Sequence, residues 1–512
     1  MTEITRESHT KRSKAAGLPP MPEDIYLAKA VRLIDWQRIF FISLGIALFV
    51  VVYLSPQWPD AVDPKGEHFP LSHESKAALG LFLLAGTWWV FEVLPIGVTA
   101  IAIGVIQALF LIRSAQVAFT DFMDPSVWFI FASLVIGMVF TKTGLTNRMA
   151  YKMLALVGER TSMIYLGCMV ITAALTHIMA HTAVAATIFP LLMAVHSLYE
   201  EEGKPTRFGK GLFIGMAYTC GAGSIITLLG SARAAVAIGM FKEFTGKEIT
   251  FFELTYYMFA LGWGMVFLLW VLITLWFPPE RPTIPGLRER AKALYARLGP
   301  MSRNEMLSLL IVFSTIAVLS IRSFIPALQP LDKSGIILVS TLLFFLLNIL
   351  TLKDLEEIPW NIVLLFGGAM SIGLCLWKTG AAKWLAVEWL AMFQHAPWAV
   401  FVLGIAFFVL VMTNFIMNVA AIAISLPVAL VIAPYLGVAP HVIMFASLAT
   451  AGMPFVLLVG AAPNAIAYNS NQFTSGEFFR AGIVASIVLM IVLAIFVWLI
   501  WPLMGMPTLQ AR

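Results

Sequence analysis

The sequence predicts an all-α protein that crosses a lipid bilayer many times. Three observations predict it: a composition too apolar for a water-facing surface, recurrent apolar stretches of near-spanning length, and helices interrupted at matched places in two halves. Of 512 residues, 60% are hydrophobic and 12% are charged. Soluble domains are about a quarter charged, so lipid must cover most of this surface.

Apolar stretches at 39–54, 77–91, 254–276 and 483–500 approach or reach the length that a hydrocarbon core of about 30 Å demands. Hydropathy gives roughly eleven spans along the chain. The first follows about 35 polar and basic residues, a lead too long for a secretory signal, and is read as a retained helix. Continuous apolar spans, unlike the weak alternation of outer-membrane strands, point to an inner, cytoplasmic-type membrane.

The net charge of +5 implies no nucleic-acid partner, because the basic residues lie in short segments between spans. Arg6, Lys11, Arg12, Lys14, Lys29 and Arg32 mark the N-terminal arm; Arg281, Arg288, Arg290, Lys292, Arg297 and Arg303 crowd one central segment. Basic loops stay on the cytoplasmic side. The central segment reads either as a short amphipathic surface helix or as a solvated linker. Cys168, Cys220 and Cys375 are isolated in apolar surroundings, with neither disulfide nor zinc spacing.

The two halves echo each other. GMVFTKTG at 137–144 matches GLCLWKTG at 373–380, AHTAVAATIFP at 180–190 matches MNVAAIAISLP at 417–427, and GSARAAVAIG at 230–239 matches GAAPNAIAYN at 460–469. Three matches in one order at nearly constant spacing indicate an internal duplication. Duplicated halves are common in secondary transporters, where they enclose a midplane site.

Within each half the helical pattern is interrupted twice. His181 and Thr182 break one apolar run, and Asn414 and Asn418 break its counterpart. Cys220 to Ser224 and Gly460 to Pro463 then supply clusters of small residues and a proline that can open the helical ladder. Irregular backbone is tolerated in a membrane only where protein or a wet cavity surrounds it. There, freed carbonyls and helix N-termini can converge on a small ion. Close helix packing through small residues is the alternative reading of any single cluster.

At these residues the chain resembles the divalent anion:sodium symporters, also called the sodium:sulfate or dicarboxylate symporters. The resemblance covers about 77–501 and rests on WWVFEVLPIGVTA at 88–100, KTGL at 142–145, LLFGG at 364–368 and GMPFVLLVGAAPN at 452–464. It implies two inverted repeats, each with a re-entrant hairpin and a broken helix, an elevator motion and a homodimer. It also implies a small anionic substrate coupled to sodium, with no other cofactor.

The implied organisation is a cytoplasmic arm (1–35), N-terminal scaffold helices (36–113), first-half transport and scaffold elements (114–277) and the basic cytoplasmic linker (278–305). Second-half scaffold helices (306–350) and second-half transport and scaffold elements (351–507) complete it. Carried over residue by residue, the substrate loops fall on His181, Thr182, Ser231, Arg233, Asn418, Val419, Pro463 and Asn464. A sodium site falls on Thr413, Asn418 and Ala461.

The chain departs from that pattern where the family has Ser-Asn-Thr and Thr-Pro-Pro-Asn. Here stand Ala180-His181-Thr182 and Ser231-Ala232-Arg233-Ala234, so the first sodium site is altered. Arg233 lies in an otherwise uncharged segment, 225–241, and a membrane-buried arginine cannot shed its proton. It either pairs with an anionic substrate in place of sodium, satisfies carbonyls at a helix break, or reaches the interface. His181 either contacts the anion, carries a coupling proton, or bonds a neighbouring carbonyl.

His177 is placed one turn earlier on the same helical face, and no acidic or cysteine pattern completes a metal site there. Met417 and Val419 make the second loop the less polar one. No HExxH or GxSxG motif or compact acidic cluster suggests an enzyme, and the duplicated interruptions suit alternating access better than a conducting filter. A sodium-independent, proton-coupled or exchanging anion carrier on the same scaffold is the first alternative, and a membrane enzyme and a receptor that has lost transport are the others.

Overall fold

The computed structural model describes residues 36–62, 67–91, 93–200, 204–393 and 397–509. The N-terminal arm, 1–35, lies outside them, as does Glu92 of the Trp-rich motif. Among the described residues the protein is helical apart from one two-residue pair of strands, β1 (Ala61–Val62) and β2 (His68–Phe69), and two isolated bridges.

The first half runs α1 (Trp36–Leu54), α2 (His73–Val90), α3 (Ile96–Leu109), α4 (Ala115–Thr120), α5 (Pro125–Thr143) and α6 (Leu145–Val157). It continues α7 (Thr161–Thr176), α8 (His181–Tyr199), α9 (Arg207–Ser224), α10 (Ala232–Thr245) and α11 (Phe251–Trp276). After α12 (Leu287–Arg297) the second half runs α13 (Arg303–Arg322), α14 (Lys333–Leu346), α15 (Leu352–Glu356), α16 (Trp360–Lys378) and α17 (Ala381–Phe393). It ends with α18 (Trp398–Phe415), α19 (Asn418–Tyr435), α20 (Pro440–Ala451), α21 (Ala462–Tyr468) and α22 (Ser475–Ile495). From α5 to α11 and from α16 to α22 the chain forms the same number of helices, with interruptions after the third and the fifth helix of each series.

Nine helical stretches among the described residues are long and apolar enough to cross a membrane, and four apolar helices are shorter. That is fewer full spans than the eleven expected from hydropathy. Two of the short ones, α7 and α20, stop at interruptions, where a helix needs only part of the bilayer thickness. Apolar side chains such as Val51 on α1, Leu310 and Phe313 on α13, and Ile487 and Ile491 on α22 are exposed, which in a bilayer is the lipid-facing surface. By contrast α19 is buried nearly all round, as an apolar helix must be when it sits inside the bundle.

Matched turns close α5 and α16. Gly144 and Gly380, the glycines of the two KTG echoes, have φ of +84° and +86°, a left-handed geometry that glycine adopts without steric cost. The LLFGG glycines do a different job: a Cβ on Gly367 or Gly368 would meet Phe122 or Ala100, so α16 lies directly on α3 and the turn after α4.

The central segment is neither a free linker nor wholly solvated. Leu287 and Ala291 of α12 are buried, and α12 packs on α6. Ile284 N–H donates to the Glu159 carbonyl (2.8 Å), and Arg148 of α6 donates to Glu305 through Nε (2.8 Å) and Nη2 (3.1 Å). Glu305 also completes the N-terminal capping box of α13 with Ser302. At the end of α5, Lys142 pairs with Asp354 at 2.5 Å. Burial pushes the Asp354 carboxyl up, but the Lys142 ammonium and the Thr351 donors outweigh it and hold the group at about 2.

Candidate functional site

Two helix pairs in each half stop short of each other. In the first half α7 and α8 are interrupted at 177–180, and α9 and α10 at 225–231; in the second, α18 and α19 are interrupted at 416–417, and α20 and α21 at 452–461. His177 therefore closes α7 while His181 opens α8, so the two histidines share no helix face as the sequence had suggested. Among the described residues no cluster of three metal-ligating side chains occurs.

The small-residue cluster Cys220 to Ser224 is also not a break. It remains helical, and the chain opens one residue later. Its glycines serve packing: a Cβ on Gly221 would lie 2.8 Å from the Gly452 carbonyl oxygen, and one on Gly223 would lie 2.5 Å from Thr176 Oγ1. In the second half Pro463 sits in the first turn of α21, where a missing N–H costs nothing.

The same backbone contact is built twice. A Cβ on Gly230 would overlap the Thr176 carbonyl oxygen, and one on Gly460 would lie 2.8 Å from the Thr413 carbonyl oxygen. Gly230 and Gly460 are the matched glycines of the third echo. The irregular chain around them is then tied down by side chains, as buried peptide groups require. Thr227 Oγ1 donates to the His177 carbonyl (2.7 Å) and Ser133 Oγ to that of Leu229 (2.6 Å).

In the second half Asn414 Oδ1 accepts from the N–H groups of Val456 (2.8 Å) and Leu457 (3.2 Å), while Asn464 Nδ2 donates to the carbonyls of Pro454 (2.8 Å) and Leu457 (3.1 Å). Truncating Asn414 leaves two part-buried donors without their acceptor. Asn414→Ala is expected to lower stability by about 2 kcal/mol or more, read as a lower melting temperature in detergent. Thr413→Val loses one donor to Ala451 and is expected to cost about half as much.

A cavity of about 50 Å³ lies where these interruptions meet. Its wall includes Ala180, His181 and Thr182 from the α7–α8 interruption (the first tip), Met417, Asn418 and Val419 from the α18–α19 interruption (the second tip), and Ala232, Arg233 and Ala462 from the starts of α10 and α21. Five of the residues singled out in the sequence thus share one cavity: His181, Thr182, Arg233, Asn418 and Val419. The others stand behind it. Ser231 is buried and caps α10 through Ala234 N–H, Asn464 holds the 452–461 loop, Pro463 is buried at the start of α21, and Thr413 is buried against Ala451.

Ala461 faces a larger recess of about 820 Å³, lined also by Arg38, Pro95, Asn361 and Tyr468. Met417 and Ala462 line both spaces and so form the partition between them. The remaining wall of the small cavity, Ile130, Ser133 and Leu134 of α5 with Ile362, Leu365 and Phe366 of α16, was not singled out from the sequence. The LLFGG motif, which contains Leu365 and Phe366, was the available signal.

Arg233 is 1% exposed and lines this cavity. Its Nη2 donates to Ser224 Oγ (2.6 Å), its Nε has no partner, and no carboxylate among the described residues pairs with it. The guanidinium reaches towards the other half, since a Cβ on Gly452 would lie 2.7 Å from Nη2. Asn418 Nδ2 and His181 Nδ1 are likewise buried without partners. Unused donors on Arg233 and Asn418 suit an acceptor-rich anion.

The donor chemistry of the second interruption suits a small cation better than that of the first. At 225–231 a fixed guanidinium holds the wall, and a second cation there would be repelled. At the second interruption Thr413 Oγ1 gives its proton to Ala451, so its lone pairs stay available beside the irregular carbonyls of 452–461.

Known proteins with related sequences are transporters. Sodium-dependent dicarboxylate transporters are 24% identical: that of Staphylococcus saprophyticus over 91% of this chain and 92% of its own length, that of Staphylococcus aureus strain MRSA252 over 83% and 86%. Among solved structures, MtrF of Neisseria gonorrhoeae, whose structure illuminates a class of antimetabolite efflux pumps, superposes with a TM-score of 0.54 at 13% identity, over 91% of this chain and 96% of that one. The YdaH transporter of Alcanivorax borkumensis does so at 0.53 and 13%, over 92% and 98%. At that identity the likeness speaks for the fold alone. The family model described as the sodium:sulfate symporter transmembrane region matches residues 37–507, and the chain belongs to that family, as a multi-pass inner-membrane protein that moves an anion by secondary active transport.

Proposed function

We propose that the cavity between the two tips is the transport site and that Arg233 supplies the positive charge against which a small anion is carried. The observation behind this reading is a guanidinium 1% exposed at the cavity wall with no carboxylate partner among the described residues. A charge that cannot be shed needs a counter-charge. An anion in the cavity would take it up, with further donors from His181, Thr182 and Asn418; Ser231, Pro463 and Asn464 shape the helix starts behind them.

Met417 and Val419 leave the opposite end apolar, which favours an anion with one strongly charged end. The relatives carry dicarboxylates with sodium, and a dicarboxylate, sulfate or related anion is the class assigned here. Sodium coupling is assigned to the second interruption alone, at Thr413, Asn418 and Ala461.

Alternating access is read as an elevator motion of two inverted repeats, with α7–α8 and α18–α19 as re-entrant hairpins. The scaffold and transport segments keep the boundaries expected from the sequence, and the protein works as a homodimer. With the basic 278–305 segment and the start of α1 on the cytoplasmic side, the recess beside Arg38 and Pro95 faces the cytoplasm and the conformation is inward-facing.

Uptake into proteoliposomes with sodium, pH and voltage varied one at a time tests this. The reading expects saturable anion uptake with no more than one sodium ion per turnover. A two-sodium stoichiometry contradicts the assignment of the first interruption to Arg233, and nonsaturating flux contradicts a carrier.

A further inference from the structure

We propose that the groove between α6 and α7 binds an anionic phospholipid, with an acyl chain among its methionines and the phosphodiester at Lys152. α6 packs on α7, and the crossing is tight: a Cβ on Gly167 would overlap the Val157 and Met153 side chains. Beside that crossing lies a groove of about 510 Å³, lined by Met149, Met153, Met163, Leu166 and Val170, with Lys152 the only charged residue of its described lining. Small-ligand sites occupy about 300–1,000 Å³. Three unbranched thioethers suit a mobile acyl chain, because they repack around whatever fills the space.

The groove sits where such a lipid lies. α7 is an apolar helix and α6 is not. Instead α6 carries Arg148 and Lys152 and packs on the basic α12, as a helix at the bilayer edge does. With the basic segment on the cytoplasmic side, as proposed above, this is the leaflet in which anionic lipids concentrate.

The charge at the rim is one-sided. Lys152 is exposed and makes no ion pair among the described residues. Arg288 Nε donates to the Ala155 carbonyl (3.3 Å), which brings a guanidinium to the turn of α6 that follows Lys152. The nearby carboxylates are engaged: Glu159 accepts from Gly286 N–H (2.8 Å), Glu289 pairs with Lys292 (2.9 Å) and Glu305 with Arg148 (2.8 Å). A free phosphate would satisfy the rim and leave the apolar floor unused; a phospholipid satisfies both. α7 ends at the first tip, so a lipid wedged against its start bears on the cavity. That last step rests on the reading of the cavity as the transport site.

The test uses the full-length protein in detergent with phosphatidylglycerol, phosphatidylethanolamine or glycerol 3-phosphate added. It reads the melting temperature, and the bound lipid by native mass spectrometry. A tightly held phosphatidylglycerol and a raised melting temperature are expected, with neither effect from the other two. Lys152→Glu is expected to weaken the lipid at least about tenfold while melting like the wild type when lipid-free. Met163→Trp, which fills the groove from an exposed position, is expected to show the same loss. Equal effects of phosphatidylethanolamine, or undiminished binding in both variants, overturn the site. An equal effect of glycerol 3-phosphate overturns it in favour of a soluble anion.

In liposomes of phosphatidylethanolamine with and without phosphatidylglycerol, uptake of labelled succinate or sulfate is expected to rise about fivefold with the anionic lipid. Lys152→Glu is expected to show no such rise. Lipid binding without it overturns the link to the tip and upholds the lipid site. Uptake of neither anion in either liposome overturns the transport reading, and the binding result then stands by itself.

Discussion

Replacing Arg233 with alanine is expected to lower anion uptake by at least about a hundredfold, because removing one partner of a buried charge pair typically costs 3–5 kcal/mol. Lysine is expected to recover only part of the loss, since an ammonium lacks the planar fork that holds an oxyanion with two donors. Stability should move the other way. In the absence of anion Arg233 is a buried charge whose Nε has no partner, so Arg233→Met is expected to leave the melting temperature unchanged or raise it. The combination separates a substrate ligand from a structural arginine: a variant that melts earlier and still transports would assign Arg233 to holding the helix break. Added anion should raise the melting temperature of the wild type and not of the variant.

The second large effect is expected at Gly230. Its added Cβ would overlap the Thr176 carbonyl oxygen, a backbone atom that no side-chain rotamer can move aside. Either the end of α7 or the 225–231 chain must shift, and overpacking of this kind costs about 1–3 kcal/mol or more. Because the same two segments position His181 and Arg233, Gly230→Ala is expected to abolish uptake and lower the melting temperature together. Gly460→Ala, whose Cβ would lie 2.8 Å from the Thr413 carbonyl oxygen, should show the same defect in milder form. Gly264→Ala in α11 meets nothing within 4 Å and serves as the neutral control.

What could be read from the sequence was what composition and period determine. The apolar spans, the duplication and the isolation of Arg233 in an uncharged segment all follow from residue types. Echoed tripeptides at 180–182 and 417–419 located both tips, and both tips line one cavity. The position of the first-half break was misread because glycine and alanine serve two purposes, loosening a helix and letting helices touch; only tertiary contact tells that Gly221 and Gly223 do the second.

The same limit hid the α5 and α16 wall. Ile130 and Leu365 are ordinary membrane-helix residues until packing turns them towards the cavity. Asn414 was visible as a polar residue in an apolar run, but its task of holding Val456 and Leu457 joins positions some forty residues apart. His177 was misplaced for a local reason: at i and i+4 of His181 it fits one helix face only if the helix continues.

Most directly decisive is an experimental structure determined with a transported anion bound. The account predicts anion density between the two tips, within hydrogen-bonding distance of the Arg233 guanidinium and with Leu365 and Phe366 closing the opposite side. Density elsewhere, with Arg233 paired to a carboxylate of the protein or turned out among lipid headgroups, would contradict it.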